Sequence, residues 1–481
     1  MASLVKNELI KIFHKKGIYF LGIVVILFGV LVAGISRWDE KITSSVENVM
    51  DEASCSGADD FDDPDIDLNE AISYKVTCDI SKYKVKYDRN SEEYYYLTHT
   101  LTDQLTEAYG AKYISKNEDL YNSLISEYNT AIANIDKMDW LGEIKKTRDQ
   151  KELELQELKK NQNKSNESEI KILENELYVL NYRLDNKITY TNSSESELLD
   201  SMMEVGTTYA TSPDDESTYK SYIELMNKRE NEKEYFITKY KLDHKLRSVH
   251  DDSIAENLSM DFASISIFIL FAMLIIVGGI ISEEFNKGTI KQLLVKPFTR
   301  NKILFSKIIA GLIAVFVFYL FLVVVNILQW AVAYGNISTL FDPVLVYMHN
   351  GNKVVEMNII QNLGYNFILL LPKFLIMYMF VILVGVISTS TAATIVFGFA
   401  FYILPGLLME LLSIPGKIAS FIFFYCWDFE QYITGMLPIS GNDELMKHSS
   451  LLKSSLVCLI TFIIITVISF IVFKKKDIKN Q

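Results

Sequence analysis

Apolar residues along this chain come in two rhythms. Six stretches are apolar almost without interruption, and between the first and second of them lies a long segment where Leu, Ile and Tyr recur only at every third or fourth position. The uninterrupted stretches fall at residues 18–36, 263–282, 308–334, 366–388, 391–412 and 454–473. At about 1.5 Å of rise per residue each is long enough for a hydrocarbon core of about 30 Å, so they predict six transmembrane helices. Residues 1–17 carry Leu4, Val5, Leu9, Ile12 and Phe13 on one side of a helix and Lys6, Lys11 and Lys15 on the other, the pattern of an amphipathic interfacial helix. Ala33-Gly34-Ile35 makes a poor cleavage site, so the first apolar run reads as an uncleaved signal anchor with its basic flank, Lys15 and Lys16, on the cytoplasmic side.

Residues 37–262 then face outward as an extracytoplasmic helical domain. Residues 51–70 form an acidic loop; Asp63, Asp65 and Asp67 have the spacing that opens a calcium loop, but Leu68 and Tyr74 stand where that loop needs Gly and Glu. Tyr74 to Tyr87 alternates apolar and basic residues and predicts a short strand pair. From Glu92 to Leu158 the three-and-four spacing resumes, through Leu97, Leu101, Leu105, Leu120, Leu124, Tyr128, Ile132, Ile135, Leu141, Ile144, Leu155 and Leu158. After a polar turn at Asn161 to Asn166 it returns in Ile170, Leu173, Leu177, Leu180 and Leu184, which predicts an antiparallel coiled-coil hairpin. A last outer helix follows Ser212 and Pro213. The fold class is therefore all-α: a polytopic membrane protein with a large helical outer domain.

The remaining connections differ in character. Residues 283–307 are polar, basic and short, which places them on the cytoplasmic face. Within them Gly288 permits a sharp turn, Thr289 can cap a helix, and Ile290, Leu293, Leu294 and Phe298 line one side of a short surface helix. Residues 335–365 are an outer loop. Residues 413–453 contain two apolar pieces too short to span, read as re-entrant or interfacial, with Glu410, Asp428 and Glu430 close by. Pro372 and Lys373 interrupt the fourth span near its outer end, where a lysine can snorkel. The tail at 474–481 begins with Lys474, Lys475 and Lys476, which places the C-terminus inside together with the N-terminus.

Charge divides along the same line. Residues 37–262 hold 28 Lys and Arg against 49 Asp and Glu, and the rest of the chain holds 19 against 11, so the overall −13 describes neither part and implies no nucleic-acid partner. Of the four cysteines, Cys426 and Cys458 sit in apolar surroundings, while Cys55 and Cys78 fall in the outer domain, where a bridge and two unpaired thiols are both open. No G-x-x-x-x-G-K-[ST], H-E-x-x-H or G-x-S-x-G stretch occurs, and no histidine pair has metal-ligand spacing. The chain is thus not expected to be an enzyme or to hold a cofactor or metal, and it shows no energy source of its own.

The cytoplasmic connector resembles one family. Glu283, Glu284 and Phe285, then Gly288, Thr289 and Ile290, then Leu293, Leu294, Pro297, Arg300 and Lys307, resemble the loop between the second and third crossings of the permease subunits of type-2 ATP-binding-cassette exporters. Asn7-Glu8-Leu9-Ile10-Lys11 is similar to the amphipathic helix that opens those subunits, and a re-entrant element before the last crossing belongs to the same pattern. The resemblance covers the six spans and leaves out residues 37–262. It implies a plasma-membrane permease working as a homo- or heterodimer with separate ATPase subunits, which bind ATP and Mg. Glu283, Glu284, Phe285, Gly288, Thr289, Ile290, Leu293, Leu294, Pro297 and Arg300 would couple it to the ATPase, and an amphipathic peptide, an antibiotic or a lipid would be the cargo. A different class, a receptor or secretion-machine anchor that presents the outer coiled coil without transport, shares the same layout.

Overall fold

The computed structural model describes residues 2–50, 68–160, 166–191, 193–212, 222–246, 253–286, 298–335, 337–388, 390–411, 414–434 and 448–476. These are mostly helical, and they separate into two compact units: residues 1–37, 219–230 and 252–481 form one, residues 38–218 and 231–251 the other.

The first unit begins with α1 (Ala2–Phe13) and α2 (Lys16–Met50). Among the described residues, five helices are long and apolar enough to cross a membrane, with spans at Lys16–Ile35, Ser266–Glu284, Arg300–Ala333, Ile359–Ser388 and Leu451–Lys475. For the sixth expected span the apolar stretch recognised among the described residues, Thr391–Leu404, is shorter.

The second unit opens with α3 (Leu68–Lys84), where the alternating residues suggested a strand pair. The helix wins because Ile72, Val76 and Ile80 recur every four residues and all three are buried against Leu97, Leu101, Leu105 and Tyr109. Ser91 caps α4 (Glu92–Tyr96), which passes through a π-helical turn, Leu97–Leu101, into α5 (Thr102–Tyr109). After a second π turn, Asn117 caps α6 (Glu118–Asn134). The two arms α7 (Trp140–Lys160) and α8 (Glu167–Asn186) pack together, with Lys151 on Glu176 and Lys159 on Glu174, each at 2.7 Å. Helix α9 (Ser194–Thr211) closes on α8 through Val179, Leu198, Leu199 and Met202. Arg183, only 1% exposed, bonds the Asp200 carboxylate at 2.6 Å and the Ser196 hydroxyl at 3.0 Å, and Tyr95 donates to the same Asp200 at 2.6 Å. Burial first, and then the Asp200 charge, push the Tyr95 phenol above its ordinary pKa. Helix α10 (Tyr222–Asp243) follows.

Back in the first unit, the short α11 (Ile254–Met260) leads into α12 (Phe262–Asn286), and α13 (Arg300–Tyr334) packs on both. The loop expected at residues 335–365 is not wholly irregular: β1 (Val344–Met348) and β2 (Lys353–Met357) form an antiparallel hairpin with Val346 opposite Val355. Its turn uses positive φ at Gly351 (89°) and Asn352 (50°), so the all-α expectation needs this one amendment. Helix α14 (Ile359–Ser388) is central, packing on α12, on α15 (Thr391–Leu411) and on α19 (Leu451–Lys475). Between the last two lie α16 (Gly416–Ala419), α17 (Phe423–Cys426) and α18 (Gln431–Thr434), each too short to span. They are not loosely attached: Cys426 and Trp427 are buried in the helical core, and His349 of the hairpin turn donates its N–H to the Ile433 carbonyl at 2.9 Å.

Candidate functional site

The sequence singled out the junction of the second and third spans, and there the structure assembles a closed ring of charges. Helix α1 buries Leu4, Glu8 and Ile12, four residues apart on one face, so a carboxylate sits in the middle of its apolar stripe. That face packs on α13, and Glu8 meets Lys307, which is 0% exposed. The Lys307 ammonium pairs with Glu8 Oε2 at 2.9 Å and Glu284 Oε2 at 2.7 Å and donates to the Ile280 carbonyl at 3.3 Å. The ammonium thus donates hydrogen bonds to Glu8 and the Ile280 carbonyl and meets Glu284 as a close ion pair. Lys11 closes the ring from the outside, at 3.1 Å from Glu8 Oε1 and 3.0 Å from Glu284 Oε1.

Two carboxylates and two ammoniums alternate, and the ring is neutral as a whole. Burial by itself would raise the Glu8 carboxyl, but Lys307 and Lys11 more than offset it and hold Glu8 below its ordinary 4.5. Burial likewise opposes the charge on Lys11, yet the bonds to Glu284 and Glu8 raise it above 10.5. A second pair, Lys15 with Glu283 at 2.7 Å, joins the turn between α1 and α2 to the end of α12. Gly279 makes room for it, because a Cβ there would collide with both side chains.

The structure adds protein partners to the two faces expected of α1. Leu4, Ile12 and Glu8 are buried against protein, and Lys11 and Lys15 are spent on the two carboxylates of α12. The sequence signal for Glu8 is its place between Leu4 and Ile12, where an unpaired carboxylate would be too costly.

Arg300 sits at the first turn of α13 and donates to the carbonyls of Lys474 at 2.8 Å and Lys476 at 3.1 Å, at the end of α19. The Lys476 ammonium in turn bonds the Val386 and Ile387 carbonyls near the end of α14. Cations therefore satisfy helix C-terminal carbonyls, where the helix dipole favours them. Ser282 meets Thr391 at 3.0 Å and links α12 to α15. Of the other predicted coupling residues, the Phe285 side chain and Gly288, Thr289, Ile290, Leu293, Leu294 and Pro297 lie outside the described residues, as do Asp63, Asp65, Asp67 and Cys55. Cys78 is disulfide-bonded, whereas Cys426 and Cys458 are buried free thiols.

Residues 223–479, more than half of the chain, match the family described as Protein of unknown function (DUF2705). Two proteins of Bacillus subtilis (strain 168) are similar. The uncharacterized protein YhcI is 27% identical over 244 residues, covering 50% of this chain and 74% of its own. The uncharacterized membrane protein YdbK is 26% identical over 217 residues, covering 45% and 80%. No solved structure matches.

Proposed function

The chain belongs to the DUF2705 family of proteins of unknown function, and we propose that it is the transmembrane permease subunit of an ATP-driven exporter. In this reading it crosses the plasma membrane six times with both termini in the cytoplasm, residues 37–262 lie outside, and two such permease chains work with separate ATPase subunits. The observation that carries the reading is the charge ring. It fastens α1, α12 and α13 together at the two ends of the connector that an ATPase would grip.

The physical consequence is stiffness at the point of force. A partner that moves the connector moves Glu284 and Arg300 at its flanks. Glu284 carries α1 through Lys11 and Lys307, and Arg300 carries the end of α19, which Lys476 joins to α14. Displacement would thus spread to the bundle as a rigid-body shift of packed helices. Gly288, Thr289, Ile290, Leu293, Leu294 and Pro297 are assigned the contact with the ATPase, and Glu284 an internal role in transmitting it.

Affinity purification of the full chain from its native membrane tests this. An ATPase carrying a Walker sequence is expected to co-purify, and Gly288→Val or Leu293→Asp should abolish its recovery while the permease stays folded. Recovery of outer-surface partners alone would overturn the reading in favour of an anchor. Transport by the purified chain in vesicles without ATP would overturn it as well.

A further inference from the structure

Lys373 is an ammonium held mostly by aromatic rings. It lies on α14 near the outer end expected for the fourth span, about 22 Å from Ser388 at about 1.5 Å per residue, where a hydrocarbon layer about 30 Å deep starting at Ser388 gives way to the interface. Its side chain is 26% exposed. Three N–H donors need acceptors, yet its acidic neighbour, Asp428 Oδ2, stands at 3.9 Å, beyond hydrogen-bond reach. Lys307, by contrast, has three oxygens within 3.3 Å. What surrounds Lys373 instead is aromatic: the ring of Tyr402 at 5.4 Å and that of Trp427 at 5.7 Å.

Those rings are held in place. Trp427 lies edge-on to Phe401 at 6.2 Å and to Phe423 at 5.6 Å, and Phe401 stacks on Phe380 at 3.7 Å. The cage therefore joins α14, α15 and the short-helix segment. Asp428 is 46% exposed, so its carboxylate is already largely hydrated and cheap to displace. Ile403 and Leu404, next to Tyr402, present exposed apolar surface beside the cage.

We propose that Lys373, walled by Tyr402 and Trp427, binds the anionic group, carboxylate or phosphate, of an amphipathic molecule, with Asp428 as the internal competitor. The anion supplies the charge-assisted hydrogen bonds that Lys373 lacks, and the tail lies along the apolar surface of α15. Competition from Asp428 keeps the site from holding its ligand too tightly. That this ligand is cargo rests on the exporter reading; that it binds does not.

The test uses the full-length chain in nanodiscs and follows quenching of tryptophan fluorescence by three brominated probes: a fatty acid, a phosphatidic acid and the methyl ester of the same fatty acid. Saturable quenching by the acid, the phosphatidic acid or both is expected, and it should vanish in Trp427→Phe. Quenching by the fatty acid alone assigns a free carboxylate, and quenching by phosphatidic acid alone a lipid headgroup. Lys373→Met should weaken binding at least tenfold, Lys373→Arg should retain it, and Asp428→Asn should tighten it several-fold. Equal quenching by the methyl ester, or weaker binding in Asp428→Asn, overturns the site, and the latter readout does not depend on whether Lys373→Met folds. No ATPase is present in this assay, so its failure leaves the exporter reading standing, and failure to recover an ATPase leaves this site standing.

Discussion

Replacing Lys307 with Met tests the charge ring directly. The substitution keeps most of the side-chain volume and removes the ammonium, so that of the ring's two cations Lys11, whose side chain is 53% exposed, remains for Glu8 and Glu284 to share. Breaking a buried ion pair by removing one partner costs about 3–5 kcal/mol, because the other charge stays behind. At about 1.4 kcal/mol per tenfold, that shifts the docking equilibrium of α1 by roughly two to nearly four orders of magnitude. Amide hydrogen exchange over residues 2–13 reads this shift. The double variant Glu8→Gln with Lys307→Met removes one charge of each sign and leaves Lys11 with Glu284, so it should recover most of the lost protection. If the single variant changes exchange by less than fivefold, or the double variant is no better than the single, the ring does not hold α1. The sign of the pH dependence follows from the same groups. The depressed Glu8 pKa gives stabilisation that is fully present above the ordinary 4.5 and is lost as pH falls through the lowered value. The raised Lys11 pKa gives stabilisation present below 10.5 and lost above it. Protection of α1 should therefore be flat from about pH 5 to 10 and fail outside that window, first at acid pH.

Three further outcomes are expected. Gly311→Ala drives a methyl group into the Tyr378 hydroxyl, which donates to the Ile308 carbonyl at 2.7 Å, and should cost about 1–3 kcal/mol in thermal unfolding; adding Tyr378→Phe should recover part of it. Asp200→Ala leaves the buried Arg183 guanidinium without its carboxylate and should cost about 3–5 kcal/mol in denaturant unfolding of the second unit, whereas Tyr95→Phe should cost only about 1 kcal/mol. Peptide mapping without reductant should find Cys78 joined to Cys55, and Cys78→Ser should cost about 3 kcal/mol; Cys78 joined to any other cysteine would refute that pairing.

The long apolar runs determined by themselves that this chain is mostly helical and carries helices able to cross a membrane, because a run that leaves no polar side chain for water admits few other solutions. The hairpin at Val344 to Met357 was also readable, from Asn350-Gly351 between apolar residues, although the loop length obscured it. Periodicity failed at Leu68 to Lys84, where lysines between tyrosines imitate a strand and only packing against the π-helical turn Leu97–Leu101 and α5 distinguishes the four-residue repeat. Of the charge ring the sequence offered only hints, Glu8 within an apolar stripe and Glu284 at the end of a span, and not the pairing. Glu8, Glu284 and Lys307 are spread over almost 300 positions, and each alone reads as an interfacial charge. What makes them a site is the close packing of α1 on α13, which buries Glu8 and Lys307 together with Glu284 and brings both carboxylates within 2.9 Å of the ammonium.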